Sequence, residues 1–226
     1  MSYYRVWNFL FRLACLSICL ERIHSFLCDV TSTTNRRTTH LFVKEPSTLV
    51  GIHIRDSLYG EIGAVADVIM ESFYADSKPP WCHMYRLAEI NRLQQGFPYA
   101  DRDKHRMLVA IAKEQDGSST EQERIVGFCD CDLRIPNRPT SYKFNPRPYI
   151  SDLCVSPSVR RLGIANRLVA YCEEFCQQLG QTEVFIRVER KNLPALNLYQ
   201  NLGYAEIEND LDDSDKIVVL RKPLDS

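Results

Sequence analysis

The stretch Tyr149-Ile-Ser-Asp-Leu-Cys-Val-Ser-Pro-Ser-Val-Arg-Arg-Leu-Gly-Ile-Ala-Asn-Arg-Leu168 constrains the fold more than any other part of the chain. Ile150, Leu153 and Val155 are strand formers, and Ser156-Pro157 ends the strand. A short loop, Ser158 to Leu162, follows. Beyond it Ile164, Leu168, Tyr171, Cys172, Phe175 and Leu179 recur at helical spacing, and Gly180 supplies a stop. The spacing therefore predicts a strand, a loop and a helix in direct succession.

Such a junction has a chemical use. Loop N–H groups and the first N–H groups of the helix converge on one point, and the helix dipole adds positive potential there. Gly163 lets backbone approach a phosphate with no Cβ in the way. Arg160, Arg161 and Arg167 add charge around it. The chain has no GxxxxGK[ST] run and no GxGxxG run, so this is neither a Walker loop nor a dinucleotide fingerprint.

Arg160-x-x-Gly163-x-Ala165 fits the pattern [Q/R]xxGx[G/A], after a Leu153-x-Val155 strand. Downstream stands Asn192-x-x-Ala195-x-x-Leu198-Tyr199-x-x-Leu202-Gly203-Tyr204. Together, in this order and at this separation, these runs resemble the two motifs of the GNAT acetyltransferase superfamily. Tyr149-Ile-Ser-Asp-Leu-Cys-Val and Arg160-Arg-Leu-Gly-Ile-Ala are most similar to plastid-type protein N-acetyltransferases. The resemblance runs from about Gly51 to the C-terminus.

It implies acetyl-CoA as co-substrate. The backbone of Leu153, Cys154 and Val155 would meet the acetyl and pantetheine groups, with the Leu153 N–H polarising the thioester carbonyl. The loop Arg160, Arg161, Leu162, Gly163, Ile164, Ala165, Asn166 and Arg167 would hold the pyrophosphate. Asn192 matches a residue that touches the cofactor arm. Tyr199 matches the acid that protonates the leaving thiolate, and it also lies on a helical apolar stripe with Ala195, Leu198 and Leu202. Asp152, Asp130 and Asp132 are the carboxylates near the site, and none stands out as a general base. Cys154 lacks an evident His partner, which argues for direct amine attack without an acyl-enzyme.

The activity so implied is acetyl transfer to a primary amine, on protein N-terminal α-amines and lysines. A small-molecule acetyltransferase, for a polyamine or amino acid, is the alternative. A module that binds acyl-CoA without catalysis is a third. A net charge of −1 leaves no footprint for nucleic acid. His53, His83 and His105 are isolated and show no metal spacing, so no metal is expected. The nine cysteines form no paired CxxC sites and read as buried thiols, with Cys172 and Cys176, one helical turn apart, as an alternative redox pair.

The expected organisation is an N-terminal extension over residues 1–45 and an acetyltransferase domain over 50–226. Phe9 to Leu20 is apolar but short and is interrupted by Arg12, so no stable membrane span is expected. Thr31 to His40 is hydroxyl-rich and basic. The order resembles bipartite plastid presequences, with mitochondrial import or secretion as alternatives.

Within the domain, Ile52 to Arg55 reads as a strand. Gly60 opens a helix with Ile62, Val65, Ala66, Ile69 and Phe73 on its apolar stripe and Glu61 in its first turn. A second helix is expected over Trp81 to Gln95. Strands follow over Met107–Ala112 and Ile125–Leu133, then a loop marked by Pro136, Pro139, Pro146 and Pro148. After the organising stretch come a strand over Glu183–Glu189, a helix over Pro194–Leu202, and a hairpin of Tyr204–Ile207 with Ile217–Leu220. The resemblance implies an α/β (α+β) fold, a mixed, mostly antiparallel sheet flanked by helices: the GNAT acyl-CoA N-acyltransferase fold.

Overall fold

A computed structural model describes residues 48–115, 121–134, 146–207 and 216–224. Strand β1 (Thr48–Asp56) leads through a 3-10 turn (Tyr59–Glu61) into helix α1 (Ile62–Phe73), and helix α2 (Trp81–Gln95) follows. Strands β2 (His105–Gln115), β3 (Glu121–Arg134) and β4 (Arg147–Val155) precede helix α3 (Ile164–Gln178). Strand β5 (Glu183–Glu189), helix α4 (Leu193–Asn201), and strands β6 (Ala205–Glu206) and β7 (Ile217–Pro223) complete the order.

The strands form one sheet in the order β1-β2-β3-β4-β5-β7-β6. All neighbours are antiparallel except β4 and β5, which are parallel. The mixed, mostly antiparallel sheet implied by the resemblance is therefore present.

Alternation along the strands sends side chains to two cores. On one face Leu108, Ala110, Cys129, Ile150 and Ile186 pack against Ile164, Leu168 and Cys172 of α3 and Tyr199 of α4. On the other, Val109, Ile111 and Phe128 pack against Ile62, Val65 and Ile69 of α1 and Leu93 of α2. Gly127 of β3 is needed for close approach: a Cβ there would lie 3.2 Å from Leu168 Cδ1 and 3.3 Å from the Cys154 carbonyl oxygen.

Several expectations need correction. Phe73 is 53% exposed, and Val68 takes its place on the buried face of α1. Tyr171 is 44% exposed, and Val169 and Cys176 fill the α3 stripe instead. Both misplaced aromatics sit at the margin of their stripe, where a small rotation of the helix on the sheet decides burial. The α-helix expected to open at Gly60 starts at Ile62, behind the 3-10 turn. Glu61 does more than face a helix dipole. It accepts the Leu58 N–H at 2.8 Å and pairs with Arg55 of β1. Pro148, expected in a loop, is the second residue of β4 and stands opposite Leu133, before the pairing with β5 begins at Tyr149. A strand start tolerates the missing N–H. Pro136, Pro139 and the N-terminal extension lie outside the described residues.

Candidate active site

The site grows from an irregularity in β4. Phe128 pairs with Cys154 and Asp130 with Ser151, so Cys129 alone stands opposite both Asp152 and Leu153. This two-against-one bulge is made by Asp152, whose φ is +54°. Aspartate enters this left-handed region more often than most residues other than glycine, though still at a cost. On the other side of β4, pairing with β5 is confined to Tyr149–Phe185 and Ile150–Ile186. Beyond Ile150 the two strands no longer pair, and the bulge lies along that opening.

Past Val155 the chain turns sharply. The buried Ser156 donates its N–H to the Val126 carbonyl at 2.8 Å and its hydroxyl to Glu71 at 2.6 Å, anchoring the exit from β4. A 3-10 turn, Pro157–Val159, then leads to Arg161 and Gly163, both left-handed at φ +68° and +73°. Gly163 is the N-cap of α3 and has no side chain to cap the helix.

After Arg160 the next backbone donor is Arg167, which bonds to the Gly163 carbonyl at 3.1 Å. The N–H groups from Arg161 through Asn166 therefore have no acceptor among the described residues. A Cβ built on Gly163 meets nothing within 4 Å, so the space in front of these donors is open. An open row of donors at a helix N-terminus matches the chemistry of a pyrophosphate. The residues thus fit the phosphate end of a coenzyme A.

The arginines divide differently from expectation. The Arg160 Nε donates to the Val155 carbonyl at 3.0 Å, bracing the turn. Arg167 reaches the Ile52 carbonyl of β1 at 3.1 Å. Both are partly committed to the fold. Leu162 is exposed and Ile164 buried, so the former faces the open side and the latter anchors the helix. Ala165 is half-buried against the core, and Asn166 is exposed.

Asn192 is the N-cap of α4. Its Oδ1 accepts the Ala195 N–H at 3.3 Å, a structural use that the motif comparison did not foresee. Tyr199 is 5% exposed, and its ring meets Tyr204 edge to face. Burial pushes its phenol well above the ordinary range, and the thiols of Cys129 and Cys172 push it the same way. The ring therefore packs in the core shared by β3 and α3, next to the residue that faces the bulge.

Cys154 is buried, and its thiol is pushed up to about 12, by burial first and by Asp152 second. That is the opposite of an activated nucleophile. The pairing proposed for Cys172 with Cys176 is replaced by two cross-element contacts. Cys129 faces Cys172 and Cys131 faces Cys176, each at 3.6 Å between sulfurs. Residues one turn apart on α3 meet residues two apart on β3, since both repeats bring side chains to one face.

Two of the three aspartates have defined partners. Asp152 forms an ion pair with Arg92 of α2 at 2.8 Å. Asp130 is 5% exposed and bonds to His105 Nε2 at 2.6 Å. Burial raises the Asp130 pKa, and His105 opposes that rise. His105 is thus not isolated. The strand register sets it opposite Asp132 and diagonal to Asp130, a relation that alternation alone on two separate strands does not reveal. Among the described residues no cluster of His, Cys, Asp or Glu could hold a metal ion, and no helix is long and apolar enough to cross a membrane.

Comparison with known proteins agrees with this geometry. The chain is 37% identical over 110 residues to GCN5-related N-acetyltransferase 10, chloroplastic, of Arabidopsis thaliana, covering 48% of this chain and 43% of that protein. It is 37% identical over 60 residues to GCN5-related N-acetyltransferase 6, chloroplastic, of the same plant, covering 26% and 21%. The matches span less than half the length of these relatives. The structure superposes on PaiA N-acetyltransferase from Thermoplasma acidophilum, solved with coenzyme A, with a TM-score of 0.57 at 16% identity, covering 77% of this chain and 99% of that one. At such identity the superposition speaks for the fold. The sequence profile described as the Acetyltransferase (GNAT) family matches residues 68–204, more than half of the chain. With the bulged strand, the strand opening and the donor loop in place, this chain belongs to the GNAT acetyltransferase family.

Proposed function

We propose that the protein transfers the acetyl group of acetyl-CoA to primary amines of proteins, N-terminal α-amines first and lysine side chains second. The observation that carries this reading is the continuity of three features. The β4 bulge at Asp152-Leu153, the opening between β4 and β5, and the unpartnered N–H row from Arg161 to Asn166 follow one another along the chain.

In this reading the loop amides hold the pyrophosphate and Gly163 keeps their approach free. The backbone of Leu153, Cys154 and Val155 pairs with the pantetheine arm as an added strand would. The Leu153 N–H points its partial charge at the thioester oxygen, where negative charge grows during attack. Tyr199 gives its proton to the departing sulfur. Its raised pKa keeps it protonated, as an acid must be, and the departing thiolate must itself be desolvated for the transfer to proceed. Attack is direct, since Cys154 is held as a thiol. Asp152 and Asp130 are engaged by Arg92 and His105, so the ammonium proton of the acceptor leaves to water before attack. The second proton, shed by the nitrogen as the tetrahedral intermediate collapses to the amide and thiol, also leaves to water, and water returns one to Tyr199.

The names of the two Arabidopsis relatives support a plastid setting. We place residues 1–45 as the targeting extension and 50–226 as the catalytic domain. A fluorescent fusion of residues 1–50 that remains in the cytosol would remove the targeting reading. The activity is tested by incubating the protein with acetyl-CoA and a proteome-derived peptide library. Mass spectrometry then sorts α-amine, lysine and free-metabolite products. Products confined to free metabolites would overturn the protein-directed reading, and coenzyme A binding without any product would overturn catalysis.

A further inference from the structure

Helix α2 is poorly seated by apolar contacts. Leu93 is its one buried side chain, and Trp81, Tyr85 and Leu87 are exposed. Polar contacts hold it instead. Arg86 pairs with Asp67 of α1. The Tyr74 hydroxyl, just beyond α1, donates to Glu89 Oε1 at 3.1 Å, and the Arg92 Nε donates to Glu89 Oε2 at 2.8 Å. The same guanidinium then reaches across to β4, where its Nη1 lies 2.8 Å from Asp152 Oδ2. Burial opposes the charge on Arg92, but Asp152 and Glu89 outweigh it and the guanidinium pKa is raised.

The target of this reach is the residue that makes the bulge. Asp152 is the sole residue of β4 with positive φ. Its backbone angles orient the peptide plane that carries the Leu153 N–H. A left-handed residue inside a strand is strained relative to the extended form and persists where its surroundings over-determine it. The bulge is not fixed by pairing with β5, which has ended by Ile150. The contact from outside the strand that holds the Asp152 side chain is Arg92.

We infer that Arg92 is a positioning residue for acetyl transfer: by clamping Asp152 it holds the β4 bulge in the conformation that aims the Leu153 N–H at the thioester. This rests on the acetyltransferase reading above. It also makes α2 a mechanical partner of the reacting strand, since Tyr74, Glu89, Arg92 and Asp152 form one continuous chain of contacts from α1 to the bulge.

The test compares the full chain, Arg92→Leu, and Arg92→Leu combined with Asp152→Gly. Glycine adopts positive φ without a clamp, so it should restore the bulge although it restores no charge. Arg92→Leu is expected to lower kcat roughly tenfold or more, the scale of a misaimed oxyanion donor, with the KM for acetyl-CoA little changed. The double variant should recover most of the loss. A second readout needs no turnover. With the ketone analogue of acetyl-CoA bound, the Leu153 amide resonance should move downfield in the wild type, stay in Arg92→Leu, and move again in the double variant. If the double variant recovers neither signal, the clamp is refuted, and an essential Asp152 carboxylate or another role for Arg92 takes its place. If Arg92→Leu keeps both kcat and the resonance shift, the clamp is likewise refuted. A wild type that shows the resonance shift but acetylates no amine would refute the functional reading and leave the clamp standing.

Discussion

The rings of Tyr199 and Tyr204 meet edge to face, with centroids 5.6 Å apart. Tyr204 is itself tethered, its hydroxyl donating to Glu173 at 2.8 Å while Lys222 Nζ approaches the other Glu173 oxygen at 2.7 Å. The tether belongs to the fold, whereas the Tyr199 hydroxyl has no such tether among the described residues, as the proposed acid role requires. Tyr199→Phe should therefore leave the melting temperature nearly unchanged and lower kcat by roughly a hundredfold, within the range for loss of a general acid. Tyr204→Phe should do the reverse, costing about 1–3 kcal/mol by leaving Glu173 short of a donor. Full kcat in Tyr199→Phe at saturating acetyl-CoA would remove its acid role.

Gly163 separates backbone strain from ligand space. An alanine Cβ there meets no protein atom within 4 Å, so the expected cost to stability is the left-handed penalty alone, about 1 kcal/mol. If the phosphates approach through that open space, as proposed, coenzyme A affinity should fall by more than that. Gly163→Glu should abolish binding by placing a carboxylate at the donor row. Calorimetry on both variants decides the matter; affinities matching the wild type would reduce the loop to a turn.

The acceptor amine must be neutral to attack. An α-amine has a pKa of about 8 and a lysine about 10.4, so at pH about 8 the neutral fractions are roughly one half and 0.4%. That gap is worth about 3 kcal/mol of available ground state. For one peptide with a free N-terminus and blocked lysine, kcat/KM should exceed that of the reverse peptide at neutral pH. The kcat profile should climb as the acceptor deprotonates and then level off. Tyr199, raised by burial, stays protonated over that range and adds no alkaline descent to about pH 10. A lysine peptide that wins near pH 7 refutes the ranking.

Glu61 links β1 to the start of α1. Its carboxyl is held below the ordinary range by the hydrogen bond from Arg55, with the Leu58 N–H helping against burial. A folded pKa below the unfolded one stabilises the fold above the unfolded pKa and loses that contribution as pH falls through the folded one. Glu61→Gln should cost about 1 kcal/mol at neutral pH, allowing for solvent around Arg55. The difference from wild type should shrink below the ordinary carboxylate range and vanish once Glu61 is protonated in both states. Urea titrations at several pH values give the test; a difference that ignores pH would mean the amide loses packing rather than charge.

The described cysteines should react in one order. Cys82 is half-buried on α2, whereas Cys129, Cys131, Cys154, Cys172 and Cys176 are buried with their thiols raised. Iodoacetamide at neutral pH should label Cys82 and spare the other five in the folded protein. Rapid labelling of Cys154 would contradict its assignment as an inert core thiol.

How much of this was legible depends on the range of the signal. Local signals served well: Trp81–Gln95 and Glu183–Glu189 fall where turn residues and apolar spacing place them. The strand, loop and helix around Gly163 were equally local. Phe73 and Tyr171 failed because burial at the edge of a stripe depends on how the helix lies on the sheet. The His105–Asp130 bond depends on strand register, and the Arg92–Asp152 pair joins a helix to a strand 60 positions away with no pattern between them. The bulge left a faint trace, an aspartate between the strand formers Ile150 and Leu153, but its backbone angle is written only in three dimensions.

The short parallel pairing of β4 with β5 has a last consequence. At this seam two residue pairs join the larger part of the sheet to its C-terminal strands, as few as hold the two-residue edge strand β6 to β7. A pantetheine arm lying along the seam would supply the missing rungs. Ligand that binds the folded state alone adds about 2.7 kcal/mol at a hundred times its Kd, and here that increment would fall on the seam itself. The lifetime of the protein against proteolysis would then follow the local supply of acetyl-CoA.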